Sequence, residues 1–286
     1  MRKIEIQAKA GLILLLLSIM NLVGYAQGLR VASFNLRYAN TTDTGNLWKD
    51  RALPVSELIR FHDFDVFGTQ EALKNQLDDI SAYLPTYDRY GLGRDDGKSA
   101  GEHSAIFFKK ERFSLLDKGD FWLSETPEKP GLGWDATCCN RICSWVKLED
   151  KLTKKQFYFF NVHYDHQGVI ARQESSKLIL QKVKEIAKGN PTLLTGDFNG
   201  SEETAWYQAI AQSGLLFDTQ KLAKHPYKPN ASFNGFGNAR SLASDDIIDH
   251  VFVTKDFQVT KWGVLTDTYH GKFPSDHFPV MADLIY

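Results

Sequence analysis

Asp197 and Asn199 stand two residues apart at the end of an apolar run, Leu193-Leu194-Thr195-Gly196-Asp197-Phe198-Asn199-Gly200. Pro191 opens the run and glycines flank the polar pair. This predicts a buried strand whose C-terminal end presents the polar residues. In an extended chain alternate side chains share a face, so Asp197 and Asn199 point one way and Phe198 the other. A carboxylate acceptor and an amide donor aimed together from a strand end make a candidate site. The same kind of ending recurs: Asn35 after Arg30-Val31-Ala32-Ser33-Phe34, Gln70-Glu71 after Asp65-Val66-Phe67-Gly68-Thr69, His163 in Asn161-Val162-His163, and Asp249 in Ile247-Ile248-Asp249-His250-Val251. A sixth element, Ser275-Asp276-His277-Phe278-Pro279, leads into a final strand. Any one of these alone reads as a cap or a satisfied polar group; the ordered set is harder to dismiss.

The elements that must position these residues alternate between strand and helix. Strands are predicted at 30–36 and 65–71, with helices at 48–61 and 72–83; Pro54 is tolerable in the first of these helices if it falls in the first turn. A β-rich stretch follows, with strands at 87–92, 103–109, 114–121, 141–148 and 157–163. The segment 168–188 has the clearest helical periodicity, with Ile170, Leu178, Leu180, Val183 and Ile186 on one face. A helix near 204–212 and strands at 247–253, 257–265 and 280–285 complete the chain. Helices mixed with runs of strands predict an α+β fold, two packed β-sheets with helices outside.

Length and composition fit one domain: 286 residues, 43% hydrophobic, with no linker-like or charge-block segment dividing the chain. The first 26 residues stand apart. Arg2, Lys3 and Lys9 precede the apolar run Ala10–Met20, and Gly24-Tyr25-Ala26 offers small residues at a cleavage site. This reads as a secretory signal peptide, residues 1–26, with the folded domain over 27–286 and an exported, periplasmic or secreted, location. The run is too short for a membrane anchor. No stable span is expected after cleavage, and no Cys follows the run for lipid attachment. Cleavage leaves 31 basic and 34 acidic residues, a net charge of −3 against −1 for the whole chain. That balance disfavours tight non-specific binding to nucleic acid. The three cysteines, Cys138, Cys139 and Cys143, fit a small disulfide loop, Cys138–Cys143 or Cys139–Cys143; a zinc site is the weaker reading.

Phe34-Asn35, Gln70-Glu71, Asn161-Val162-His163, Gly196-Asp197-Phe198-Asn199, Asp249 and Ser275-Asp276-His277 resemble, in content and order, the motifs of the endonuclease/exonuclease/phosphatase superfamily, in an exported bacterial branch. The resemblance runs over essentially all of the mature chain. It implies a four-layer α/β sandwich, two mixed sheets flanked by helices, and a metal-dependent phosphoric ester hydrolase. Four carboxylates gathered in one place need a cation or protons, and oxygen ligands favour Mg²⁺ or Mn²⁺. By resemblance Glu71 is the principal metal ligand, with Asn35 and Asp276 beside it. Asp197 orients or deprotonates the attacking water, and Asn199 donates to a phosphate oxygen. His277 acts as base or cationic stabiliser with Asp249 behind it, the choice between Asp197 and His277 as base staying open. His163 contacts phosphate with Glu102 as its partner, and Arg141 is a further phosphate contact.

The remaining polar residues have plainer readings. Asp165 and His166 form an active-site lip rather than a zinc site. His250, His270, Asp245 and Asp246 are loop or sheet-edge residues, and Trp122 and Trp134 are core. The expected function is hydrolysis of a phosphodiester or phosphomonoester by in-line attack of water, by a monomer. Alternatives are a nuclease acting on DNA or RNA, a sphingomyelinase-like enzyme, or a non-catalytic glycan- or surface-binding protein on the same scaffold.

Overall fold

Apolar strands long enough to be buried on both faces set the architecture. A computed structural model describes residues 28–286, so the expected signal peptide lies outside the described residues. Twelve strands form two six-stranded sheets. The first sheet has β1 (Gly28–Asn35), β2 (Val66–Gln70), β3 (Tyr87–Tyr90), β4 (Ile106–Lys109), β11 (Gln258–Val264) and β12 (Val280–Ile285), in the order β11-β12-β1-β2-β4-β3. The second has β5 (Phe113–Trp122), β6 (Ile142–Asp150), β7 (Gln156–His163), β8 (Thr192–Asp197), β9 (Phe217–Asp218) and β10 (Asp249–Val253), in the order β5-β6-β7-β8-β10-β9.

The two sheets repeat one plan. Each has a central parallel pair, β1 with β2 and β7 with β8, and antiparallel strands on either side. A parallel pair needs a crossover. α1 (Trp48–His62) supplies the first and α3 (Val169–Ala187) the second. The other helices are α2 (Lys74–Tyr83), α4 (Ala205–Ala211) and two single-turn pieces, α5 (Thr219–Leu222) and α6 (Ala239–Leu242). Three apolar clusters result. Val31, Val66, Phe108, Val146, Phe159, Leu193 and Val251 fill the space between sheets. Phe34, Val55, Ile59, Phe67 and Ile80 pack α1 and α2 on the first sheet. Phe160, Val162, Ile179, Val183 and Phe252 pack α3 on the second.

Pro54 is a departure from expectation. α1 begins at Trp48, so the proline lies in the second turn rather than the first and leaves the Asp50 carbonyl without its helical donor. The short β9, α5 and α6 carry too few residues to show a periodicity. Where the sheets meet near their polar ends, Gly68 makes room. A Cβ there would run into Asn161 Oδ1 and Thr195 Oγ1. The Asn161 amide uses that space to donate to the Thr69 and Ala105 carbonyls, at 2.9 and 3.0 Å, and so ties β7 to the first sheet.

Candidate active site

The parallel pairs of both sheets end at one edge of the sandwich. Asn35 closes β1, Glu71 follows β2, His163 closes β7 and Asp197 closes β8, while Asp249, paired with Asp197, opens β10. Asp276 and His277 precede β12. A cleft of about 790 Å³ lies there, lined by Glu71, His163, Asp197, Asn199, Asp276 and His277 among others. The structure therefore brings the expected residues together, Asn35 and Asp249 from beneath the lining.

Asp197 is the hub. Its Oδ2 accepts from Asn35 Nδ2 at 2.9 Å and lies 3.5 Å from His163 Nε2 and 3.8 Å from His277 Nε2. Its Oδ1 accepts the Asn199 N–H at 2.9 Å. Burial, with the neighbouring Asp249 charge adding to it, pushes this carboxyl from the usual 3.8 up to about 7. His277 Nδ1 meets Asp249 Oδ2 at 2.8 Å, so the Nδ1–H tautomer is fixed and Nε2 faces Asp197. Burial alone would lower His277; the Asp249 carboxylate, helped by Asp197 and Asp276, outweighs it and carries the imidazole up to about 10. His163 is held well below its ordinary value by burial and by the Arg141 and Arg94 cations. An arginine can only donate, so Arg141 Nη1, 3.0 Å away, makes His163 Nδ1 the acceptor and leaves the proton on Nε2, which has the Asn199 amide Nδ2 at 3.2 Å and Asp197 at 3.5 Å.

Two of the expected site residues have further partners. Glu102 lies 3.8 Å from His163 Nδ1, beyond hydrogen-bond reach, and its carboxylate accepts from Arg94 instead. Arg141 takes the place expected for Glu102 because its guanidinium is buried between β7 and the loop after it. Asn35, expected as a metal ligand, turns Nδ2 to Glu71 Oε1 at 3.1 Å and to Asp197, while its Oδ1 accepts the Arg37 N–H at 2.9 Å. In this arrangement its amide nitrogen bridges two carboxylates.

The donor set fits a divalent cation. Side-chain atoms of Glu71, Asp197 and His277 lie within 4.8 Å of one another, and with His277 protonated the two carboxylates are the ligand donors of the three. Asp276 lies beside them, its carboxyl raised to about 6 by burial against the opposing pull of His277 and with Glu71 adding to the rise. Buried carboxylates at such separations repel by roughly 4 kcal/mol per pair at an effective dielectric of 20. The Arg37 guanidinium, 4.0 Å from Glu71 and 3.8 Å from Asp276, is too distant for hydrogen bonds to either and offsets only part of that. Glu71, Asp276 and Asp197 are the oxygen donors a hard cation prefers.

Arg37, Arg94 and Phe233 line the cleft without having been read as site residues. Their signals are tertiary. Arg37 follows Asn35 in a polar loop, and Arg94 is aimed by Trp122, whose Nε1 donates to the Arg94 carbonyl at 2.7 Å. His166 does stand on the lip, accepting from Arg141 Nη2 at 2.9 Å, and Asp165 caps the turn below it through the N–H groups of Gln167 and Gly168. The cysteines depart from expectation as well. Cys138 and Cys139 are bonded to each other on the cleft wall, and Cys143 is free and buried on β6. Cys143 points into the layer beneath α3, out of reach of the loop that carries the other two. With its sulfur already bonded, Cys138 is no thiolate ligand for zinc beside Asp165 and His166.

A family model for the Endonuclease/Exonuclease/phosphatase family matches residues 32–277. The solved structure of the mannosyl-6-phosphatase of Bacteroides thetaiotaomicron is 45% identical and covers 90% of this chain and 100% of that one, with a TM-score of 0.87. A further structure from the same organism, described as an endonuclease/exonuclease/phosphatase family protein, is 45% identical over 91% and 98% of the two chains, with a TM-score of 0.88. The CCR4-Not complex 3'-5'-exoribonuclease subunit of Aspergillus niger is 27% identical over 302 residues. That match takes in 81% of this chain but 46% of the fungal protein, so the chain spans about half the length of that relative. The matched span contains every strand-end residue of the site, and the chain belongs to the Endonuclease/Exonuclease/phosphatase family of phosphoester hydrolases, which generally use divalent metals.

Proposed function

We propose that this chain is an exported phosphomonoesterase, dependent on Mg²⁺ or Mn²⁺, that acts on a compact phosphorylated sugar. The observation that carries this is the pair of guanidiniums, Arg94 and Arg141, at one end of the cleft. Arg94 and Arg141 stand there with His163 and His166; Glu102 accepts from Arg94, Glu71 lines the same end, and Asp165 lies 3.6 Å from Arg141. A terminal phosphate carries more charge than a bridging one, and paired guanidiniums recognise it well. The cleft volume is also that of a small-ligand site. The mannosyl-6-phosphatase named above supports a sugar phosphate as the substrate class. The acidic mature charge weighs against a long nucleic acid. Export is supported by the apolar leader and by a disulfide, which persists in oxidising compartments.

In this reading Glu71 and Asp276, with Asp197, would hold the divalent cation. When bound, it would supply neutralisation of the charge that develops on the phosphoryl group. Asp197, accepting from Asn35 and the Asn199 N–H, aligns the attacking water and takes its proton. Asp249 keeps His277 cationic, so His277 stabilises the non-bridging oxygens. The Nε2–H of His163, set by Arg141, donates to the same group. The test is hydrolysis of a panel of hexose 6-phosphates, a phosphodiester and oligonucleotides, with Mg²⁺, Mn²⁺ or a chelator. The expected result is metal-dependent release of phosphate from hexose phosphates at least about tenfold faster than any diester cleavage. Faster cleavage of the oligonucleotides would overturn it.

A further inference from the structure

Most side chains lining the cleft are charged or imidazole. The residues that bring apolar atoms to its lining are Tyr38, Phe233, Ile248 and the bonded pair Cys138–Cys139. Cysteines are ordinarily among the most buried residues, yet Cys138 is exposed and Cys139 half-exposed, both on the cleft wall. The loop bearing them is tied down on two sides. The Asp135 carboxylate accepts the N–H groups of Ile170 and Ala171 at 3.1 and 2.6 Å, and the Thr137 hydroxyl donates to Gln167. The sulfurs stand close to the phosphate end of the cleft. Cys138 Sγ is within 4.8 Å of a His166 ring nitrogen, and His166 and His163 both accept from Arg141.

We propose that the Cys138–Cys139 disulfide is a specificity contact, the surface on which the sugar ring of the substrate packs while its phosphate lies at His163 and Asn199. This rests on the phosphomonoesterase reading above and deepens it. Two joined sulfurs have no proton to donate, are polarisable, and form a rigid patch with no side-chain freedom left to lose. The C–H face of a sugar ring is the matching surface, gaining dispersion contact without leaving a hydroxyl unpaired. Separate thiols would regain rotamer freedom and hydration, and the patch would be lost. Phosphate binding, made by arginine, histidine and asparagine, does not involve the sulfurs.

The test is a KM and inhibition comparison with mannose 6-phosphate as substrate and inorganic phosphate as competitor. The enzymes are wild type, wild type with tris(2-carboxyethyl)phosphine, and a Cys138→Ser/Cys139→Ser variant. Cys143 is in no bond, so the reductant opens one bond in this chain. The expected result is a rise in KM of about tenfold for both the reduced and the substituted protein, with the Ki of inorganic phosphate changed less than about twofold. Reoxidation restores the wild-type KM. An unchanged KM overturns the proposal. A parallel rise in KM and Ki also overturns it, since the bond would then only be holding Arg141 and the phosphate end in place. Wild-type enzyme that hydrolyses no hexose phosphate defeats the substrate reading before any variant is made, and this inference with it.

Discussion

Several residues that face the substrate are held in conformations their neighbours impose. Glu71 (φ +64°), Asn199 (φ +46°) and Arg37 (φ +53°) all line the cleft in the left-handed region. Asparagine tolerates that region; glutamate and arginine do so at a cost of order 1 kcal/mol or more. Asp197 bears a different strain, a buried negative charge beside Asp249. Its substitution by asparagine preserves shape and removes the proton acceptor. Asp197→Asn should fold and should lose about 10²–10⁴ in kcat with KM little changed, measured on the best substrate of the panel. Turnover near wild type would remove Asp197 from the role given to it. The His277–Asp249 pair makes a pH prediction. The imidazole binds its proton more tightly folded than unfolded, so the pair's contribution to stability is complete below about pH 6.5 and is lost as pH rises through about 10. If the cation form serves the reaction, kcat/KM should fall in the same alkaline range. Asp249→Asn removes the main raising influence and should move that alkaline limb down by about two pH units, alongside a large loss of rate. A limb that stays where it was in the variant would show that another group sets it.

Between elements, the site is assembled by polar contacts that join distant parts of the chain. Arg51 of α1 is fully buried, and its guanidinium donates to four carbonyls: Leu36, Arg37, Asn46 and Pro274. Burial lowers it to about 10, still charged at neutral pH. It fixes the loop after β1, which carries Arg37, against the segment that leads into Asp276. Arg51→Met keeps much of the volume and leaves four carbonyls without their donor. A loss of about 3 kcal/mol is expected, roughly 6–12 °C in Tm by thermal unfolding, with weaker divalent-cation binding by titration calorimetry. Unchanged metal affinity in a destabilised protein would limit Arg51 to a packing role. On the opposite side, His250 of β10 lies between Asp218 and the Gly200 carbonyl, at 3.2 and 3.1 Å, so a residue read as sheet-edge polarity braces the turn after Asn199. None of these contacts was visible in the sequence. Strand periodicity reveals Asp197, Asn35 and His163, because a polar residue at the end of an apolar run is a local signal. Arg51 reaches a carbonyl 223 residues away, and no local pattern encodes that. The Arg94 contact of Glu102 and the Cys138–Cys139 pairing were hidden for the same reason: each depends on which side chain from elsewhere arrives first.

For the whole molecule, two sheets of the same plan converge their parallel pairs on one edge, and that convergence was legible in the order of the strand-end motifs. Its consequence is a concentration of buried acidity in a protein of nearly balanced charge. Without a cation, Asp197 and Asp276 keep protons up to about pH 7 and pH 6. Both bind protons more tightly folded than unfolded, so deprotonation costs the fold stability as pH rises from the usual 3.8 through those values. A divalent cation and these protons compete for the same oxygens, and cation binding must release the protons at acidic pH. The stabilisation given by saturating Mg²⁺ should therefore be small at pH 5 and grow through pH 6–7, levelling off by about pH 8. Thermal unfolding with Mg²⁺ and with chelator across that range measures it, with Asp276→Asn as the comparison. The variant should show a smaller shift at every pH and a weaker dependence on pH, because it has lost both a ligand and a competing proton. A metal-induced shift that is the same at pH 5 and pH 8 would mean that the cation binds oxygens other than those of this carboxylate cluster.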